Sequence, residues 1–134
     1  MDTLTLPARL DSLETFLRFV LERAEQAGAS AELLDDIKLG LEEMLTNIFF
    51  YAYPDGEGRV EVGFSARSDG KLGIRVTDWG IPFDPLAFDT QGLEQDFSER
   101  EIGGMGIYLA RRVAHRMLYE RALDANHLTV FFHF

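Results

Sequence analysis

Residues 41–56 read LEEMLTNIFFYAYPDG, and the rest of the chain can be placed outward from them. They continue an apolar stripe that begins upstream. Leu34, Ile37, Leu41, Met44/Leu45, Ile48 and Ala52 recur with the period of an amphipathic helix. The spacing predicts a helix from near Ser30, a good N-cap with Leu33 behind it, to about Tyr51. Pro54-Asp55-Gly56, with Gly58, then imposes a turn. Glu43 and Asn47 lie four residues apart, so they share a helix face beside the main stripe, with Leu39 and Phe50 as neighbours. A carboxylate next to a carboxamide offers hard oxygen ligands, or a base and a ligand, as Mg-phosphate chemistry requires. A merely solvated polar side has the same spacing, so this pair alone leaves both readings open.

Outward from the turn the period changes to two. Val60, Val62 and Phe64 alternate in RVEVGFSA (59–66), and Leu72, Ile74 and Val76 in KLGIRVT (71–77), with Ser68-Asp69-Gly70 as the hairpin turn between them. Upstream, Leu4–Leu6 reads as a short edge strand ending at Pro7. A helix is expected from Leu10 to about Ala27, capped by Asp11 or Ser12, with Leu13, Phe16, Leu17, Val20 and Leu21 on one stripe and Gly28 as its stop. Residues 86–103 are polar and poorly periodic, a lid-like connection long enough to be functional. A third helix is expected from Gly106 to about Met117. Strands Leu118–Ala122 and His127–Phe134 follow, joined at Asp124-Ala125-Asn126. The order predicts one domain, 1–134, built as a two-layer α/β (α+β) sandwich: a mostly antiparallel, mixed sheet with helices on one face.

Composition narrows the function. With 46% hydrophobic residues and 12% aromatics the 134-residue chain is expected to fold, and it is long enough for one core. A net charge of -10 would repel a phosphate backbone, which disfavours nucleic acid as a direct ligand and suits a basic protein partner. The absence of Cys removes disulfides and thiolate metal sites. The start, MDTLTLPARLDSLETF, lacks the pattern of a signal peptide, and no apolar run is long enough for a membrane span, so a cytoplasmic location is expected. His115, His127 and His133 have no metal-like spacing, and no Ser-His-Asp set is legible.

Two further motifs accompany Glu43 and Asn47. Asp78-Trp79-Gly80-Ile81-Pro82-Phe83 follows an apolar strand; Asp78 can accept from an exocyclic amine, and Gly80 permits close approach to the backbone. An Asx-capped turn is the plain alternative. Gly103-Gly104-Met105-Gly106 opens a helix and can leave backbone N–H groups facing an anion. It lacks the Lys-Ser/Thr of a P-loop and does not follow a strand as a dinucleotide fingerprint does.

Taken in order, Glu-x-x-x-Asn on a helix, Asp-x-Gly after a strand, a lid and Gly-x-Gly on a helix resemble the GHKL ATPases, which share the Bergerat fold. The resemblance spans nearly the whole chain. LEEMLTNIFFYAYPDG, VTDWGIPFDP, GGMGIYLARRVAHRMLYER and NHLTVFFHF are similar to blocks of the bacterial anti-sigma-factor serine-protein kinases. The resemblance implies ATP and Mg2+ as cofactors. It implies Glu43 as the residue that orients or activates the attacking group, Asn47 as the Mg2+ ligand, and Asp78 as acceptor for the adenine amine with Gly80 beside the base. Gly104 and Gly106 would lie at the phosphates, Thr129 would support the adenine site through water, and Arg18 would meet partner proteins. It further implies a sigma factor and an anti-anti-sigma (STAS-type) protein as partners, phosphorylation of a Ser or Thr on the latter, and no direct contact with nucleic acid or membrane; a homodimer is compatible with it. A histidine-kinase catalytic domain shares the boxes but is expected to carry a phosphoacceptor helix as well. Pro82 replaces the second glycine of the Asp-x-Gly-x-Gly pattern, and Arg100 is the one basic residue between Asp84 and Gly104. The alternative is a nucleotide-dependent binding module with little phosphotransfer, which the sparse lid charge favours and Glu43 disfavours.

Overall fold

The computed structural model describes residues 1–66, 69–84 and 110–134. The chain opens with strand β1 (Asp2–Pro7) and one 3-10 turn, Leu10–Ser12, before helix α1 (Leu13–Gln26). The helix expected from Leu10 therefore starts three residues later. Ser12 stands at its N-cap, but the hydroxyl donates to the Pro7 carbonyl (2.7 Å) and so ties the turn to β1 rather than capping the helix. Gly28 ends the helix as expected: it adopts φ 101°, donates to Glu25 O, and lets Ala29 donate to Ala24 O. Helix α2 (Ala31–Tyr51) has the predicted cap, Ser30 Oγ accepting from Leu33 N at 3.1 Å, a contact worth about 1 kcal/mol.

Strands β2 (Arg59–Ala66), β3 (Lys71–Asp78), β4 (Arg116–Ala122) and β5 (Ala125–His133) complete a five-stranded sheet of order β1-β2-β3-β5-β4. Every pairing in it is antiparallel, which corrects the expected mixed sheet. The reason is the β4–β5 hairpin: it puts β4 on the outer edge and returns β5 beside β3 with the direction reversed.

Alternation sorts the two faces of the sheet. Val62, Ile74, Val76, Val130 and Phe132 point inward and are buried against Phe16 and Val20 of α1 and Ile37, Leu41 and Leu45 of α2. Burial of each such side chain contributes about 1.5–3 kcal/mol. Both helices lie on this one face, as predicted.

The third helix differs from expectation. Residues 110–113 are helical, with Ala110 buried, but the helix does not reach Met117. Met117 and Tyr119 instead enter the core as alternate residues of β4, opposite Val130 and Leu128. The glycine-rich start of that helix, with Gly104 and Gly106, and the 86–103 connection lie outside the described residues. The β4–β5 turn is Leu123-Asp124, both left-handed (φ 53° and 62°), with Leu123 95% exposed. The expected junction at 124–126 thus moves back by one residue and brings Asn126 into β5. No helix among the described residues is long and apolar enough to cross a membrane.

Candidate functional site

The end of β3, the start of β5 and the second half of α2 meet at one cavity of about 70 Å3. Met44, Ile48 and Leu128 give it apolar walls, and Asn47, Asp78 and Asn126 give it three polar groups. Apolar walls with a few convergent polar groups are the usual make-up of a small-ligand pocket. Asn47 reaches it because it lies three residues beyond Met44 on α2, turned toward the β3–β5 ends. It is 9% exposed, and its side chain makes no hydrogen bond with a described residue. Its carboxamide lines the cavity, where a ligand can meet it.

Asp78 is the last residue of β3 and is buried. Its Oδ1 accepts from Gly80 N (2.9 Å) and from Asn126 Nδ2 (3.0 Å); Oδ2 accepts from no described residue. Burial pushes the Asp78 carboxyl above the usual range, while the hydrogen bonds from Asn126 and Gly80, then Arg121 and His127, pull it back. Glu43 sits one turn before Asn47 on the same face, half-buried, outside the cavity lining. Burial first, and the adjacent Glu42 carboxylate second, raise its pKa. Glu42 itself lies toward Lys38, 3.9 Å away.

Gly80 also has a role inside the fold. A Cβ there would collide with the Ala52 carbonyl, so the space is taken by the end of α2, and Ile81 N donates to the same carbonyl at 3.0 Å. Both sides of this contact are backbone and neither can swing away. Gly80→Ala is therefore expected to lower stability by about 1–3 kcal/mol, read as a drop in the urea midpoint. An unchanged midpoint would mean that the loop is free to move off α2.

Thr129 is not at the cavity. It lies on the opposite face of the sheet, beside Arg75, Leu118 and His127. Asn126 is the β5 residue beside Asp78, three positions earlier and on the inner face. The two-residue alternation of Leu128, Val130 and Phe132 was the signal that could have found it. Arg18 is exposed on α1, far along the chain from these groups, and pairs with Glu14 at 3.3 Å.

The raised carboxyls carry a pH dependence. A folded-state pKa above the unfolded value means that the native chain binds a proton the unfolded chain has lost. That stability is fully present below the unfolded pKa and is lost as pH rises through the folded one. For Asp78 the window opens at its ordinary 3.8 and extends upward. Wild-type stability relative to Asp78→Asn is expected to fall with rising pH across that window, measured by urea unfolding at a series of pH values. A rising difference would mean that the hydrogen bonds outweigh burial.

An antiparallel sheet covered on one face by helices is the architecture of the kinase-like ATPases. The chain belongs to the histidine kinase-like ATPase domain family, whose model matches residues 6–132. It is 31% identical over 115 residues to the serine-protein kinase RsbW of Listeria monocytogenes, covering 80% of this chain and 71% of that protein. It is 26% identical over 132 residues to the serine/threonine-protein kinase BtrW of Bordetella bronchiseptica, covering 98% and 93%. Among solved structures it is similar to the histidine kinase domain of the blue-light activated histidine kinase EL346 from Erythrobacter litoralis, with a TM-score of 0.57 and 19% identity. That match covers 90% of this chain and 60% of the other, and it concerns the fold alone. Membership of this family carries ATP binding as the coarse function.

Proposed function

We propose that the protein is a cytoplasmic, ATP-dependent anti-sigma factor that sequesters a sigma factor and phosphorylates a Ser or Thr of a STAS-type anti-anti-sigma protein. The observation that carries this reading is the convergence of Asn47 and Asp78 on one cavity with Glu43 one turn away. Asp78 Oδ2 would accept from the adenine amine. Asn47 fits a Mg2+ ligand because its side chain lines the cavity and makes no hydrogen bond with a described residue. The metal would supply charge neutralisation at the phosphates. Gly104 and Gly106, outside the described residues, would meet those phosphates.

In the transfer, the acceptor hydroxyl oxygen bonds to the γ-phosphorus, the bond to the β–γ bridging oxygen breaks, and ADP leaves. Glu43 takes the hydroxyl proton. The product phosphoserine carries about -1.5 to -2 charges. A protein of net charge -10 repels it, which accounts for release of the modified partner. Arg18 is proposed as a partner contact: its exposed pair with Glu14 is worth little, so the guanidinium is available to another protein.

A second reading, a nucleotide-switched binding module without transfer, is favoured by one observation. No Lys or Arg is among the described residues that line the cavity. The test is capture of partners with and without Mg-ATP, followed by incubation of the purified STAS-type partner with γ-labelled ATP. Label on a partner Ser or Thr is the expected result. ATP-dependent capture without label makes the protein a switchable module, and capture indifferent to nucleotide overturns both readings.

A further inference from the structure

Asn126 is 5% exposed, and its amide has every hydrogen-bonding position filled. Nδ2 donates to Asp78 Oδ1 (3.0 Å) and to Ile81 O (2.8 Å). Oδ1 accepts from the Tyr119 hydroxyl (2.6 Å) and from Phe83 N (3.3 Å). The partners fix which way round the amide stands. A flipped amide would set its oxygen against the Asp78 carboxylate and the Ile81 carbonyl, and its N–H groups against the Phe83 N–H.

Two things follow for the cavity. First, Asp78 Oδ1 is occupied twice, by Asn126 and by Gly80 N, so Oδ2 alone is left to read a ligand. Second, neither N–H of Asn126 is left over. A purine with a 6-oxo group needs a donor where a 6-amino purine needs an acceptor. With Asn126 committed, and with the Tyr119 hydroxyl proton spent on it, this wall presents only the carboxylate. Among the described residues of this wall, a ligand carbonyl meets negative charge with no compensating N–H, whereas an exocyclic amine meets a fixed acceptor. A site with its polar groups committed in advance rejects the mismatched ligand more strongly than an adaptable one.

We infer that Asn126, locked by Tyr119, is a positioning residue that turns Asp78 so that a single oxygen reads the base, and that this pair sets the preference for 6-amino over 6-oxo purine nucleotides. The inference rests on the reading of the cavity as a nucleotide site. Neither residue needs to touch the ligand for it; both act through Asp78 and the 78–83 loop.

The test is calorimetric titration of wild type, Asn126→Ala and Tyr119→Phe with Mg-ATP and with Mg-ITP, its 6-oxo analogue, alongside thermal unfolding of each protein. Wild type is expected to prefer ATP. Each substitution is expected to narrow the ATP/ITP affinity ratio by about tenfold, the size of one buried hydrogen bond. A purely structural role would lower the melting temperature and weaken both nucleotides in the same proportion, leaving the ratio where it was; that result overturns the inference. Tyr119→Phe removes one hydroxyl and keeps the ring in the core, so it carries the test if Asn126→Ala does not fold. Failure of the underlying reading looks different: wild type would then bind neither nucleotide.

Discussion

Glu43→Gln is expected to leave Mg-ATP and partner binding at wild-type strength and to slow phosphotransfer to the partner by roughly 10²–10⁴-fold, the usual contribution of a positioned base. The substitution keeps the size of the side chain and most of its hydrogen-bonding capacity, and removes only its ability to take a proton. The side chain stands on α2 one turn before Asn47, outside the lining of the base cavity, so nucleotide affinity has no reason to change. Its carboxyl is raised by burial and by Glu42, and a higher pKa makes a carboxylate a better acceptor for a hydroxyl proton. Most of the acceleration in phosphoryl transfer comes from alignment and charge neutralisation, so a residual rate is expected to survive. Single-turnover transfer to the purified partner measures it, with calorimetry as the binding control. Transfer at the wild-type rate would move the role to Glu42, despite its orientation toward Lys38.

Asp78→Asn is expected to fold and to bind Mg-ATP roughly 10- to 100-fold more weakly, the worth of a hydrogen bond to a charged group. The loss follows from the donors already present. Gly80 N and Asn126 Nδ2 both point at Oδ1, so an asparagine must place its own oxygen there and its NH2 at the Oδ2 position. Donor then faces donor when an adenine amine enters. The fold survives because the two internal hydrogen bonds are kept and a buried charge is removed. Calorimetric affinity equal to wild type would separate Asp78 from base recognition altogether.

Much of this was legible in the sequence because the deciding signals are local. The 3.6-residue stripe of α2 fixes where Glu43 and Asn47 stand relative to each other, whatever they pack against. The alternations at 60–64 and 72–76 give β2 and β3, and with them Asp78 at a strand end. Asn126 was not legible in the same way. Its neighbours Asp124 and Ala125 look like turn chemistry, and Val130, Phe131 and Phe132 form an apolar run that hides the alternation. A shift of one residue in a strand exchanges its faces, and it is Leu128 and Asn126, not Thr129, that line the cavity. The early end of the third helix was obscured for a related reason: Met117 satisfies a helical period and a strand period equally, and only pairing with Val130 decides between them. The sequence suggests Gly80 as a place for close approach of a ligand, but it cannot show that the Ala52 carbonyl, 28 residues away in the chain, packs against the same glycine.

The saturated amide of Asn126 also has a consequence for how such a domain drifts over generations. A side chain with spare hydrogen-bonding capacity tolerates change in its neighbours one at a time. Asn126 has none, so a lineage that loses the Tyr119 hydroxyl leaves Asn126 Oδ1 with only the longer hydrogen bond from Phe83 N, and one that loses Asn126 removes the acceptor of the hydroxyl, the donor to Ile81 and half the support of Asp78 at once. Either first step is penalised until the second occurs. The two positions are therefore expected to be inherited as a unit, changing together across descendants or not at all, whereas Thr129 on the far face is free to vary alone.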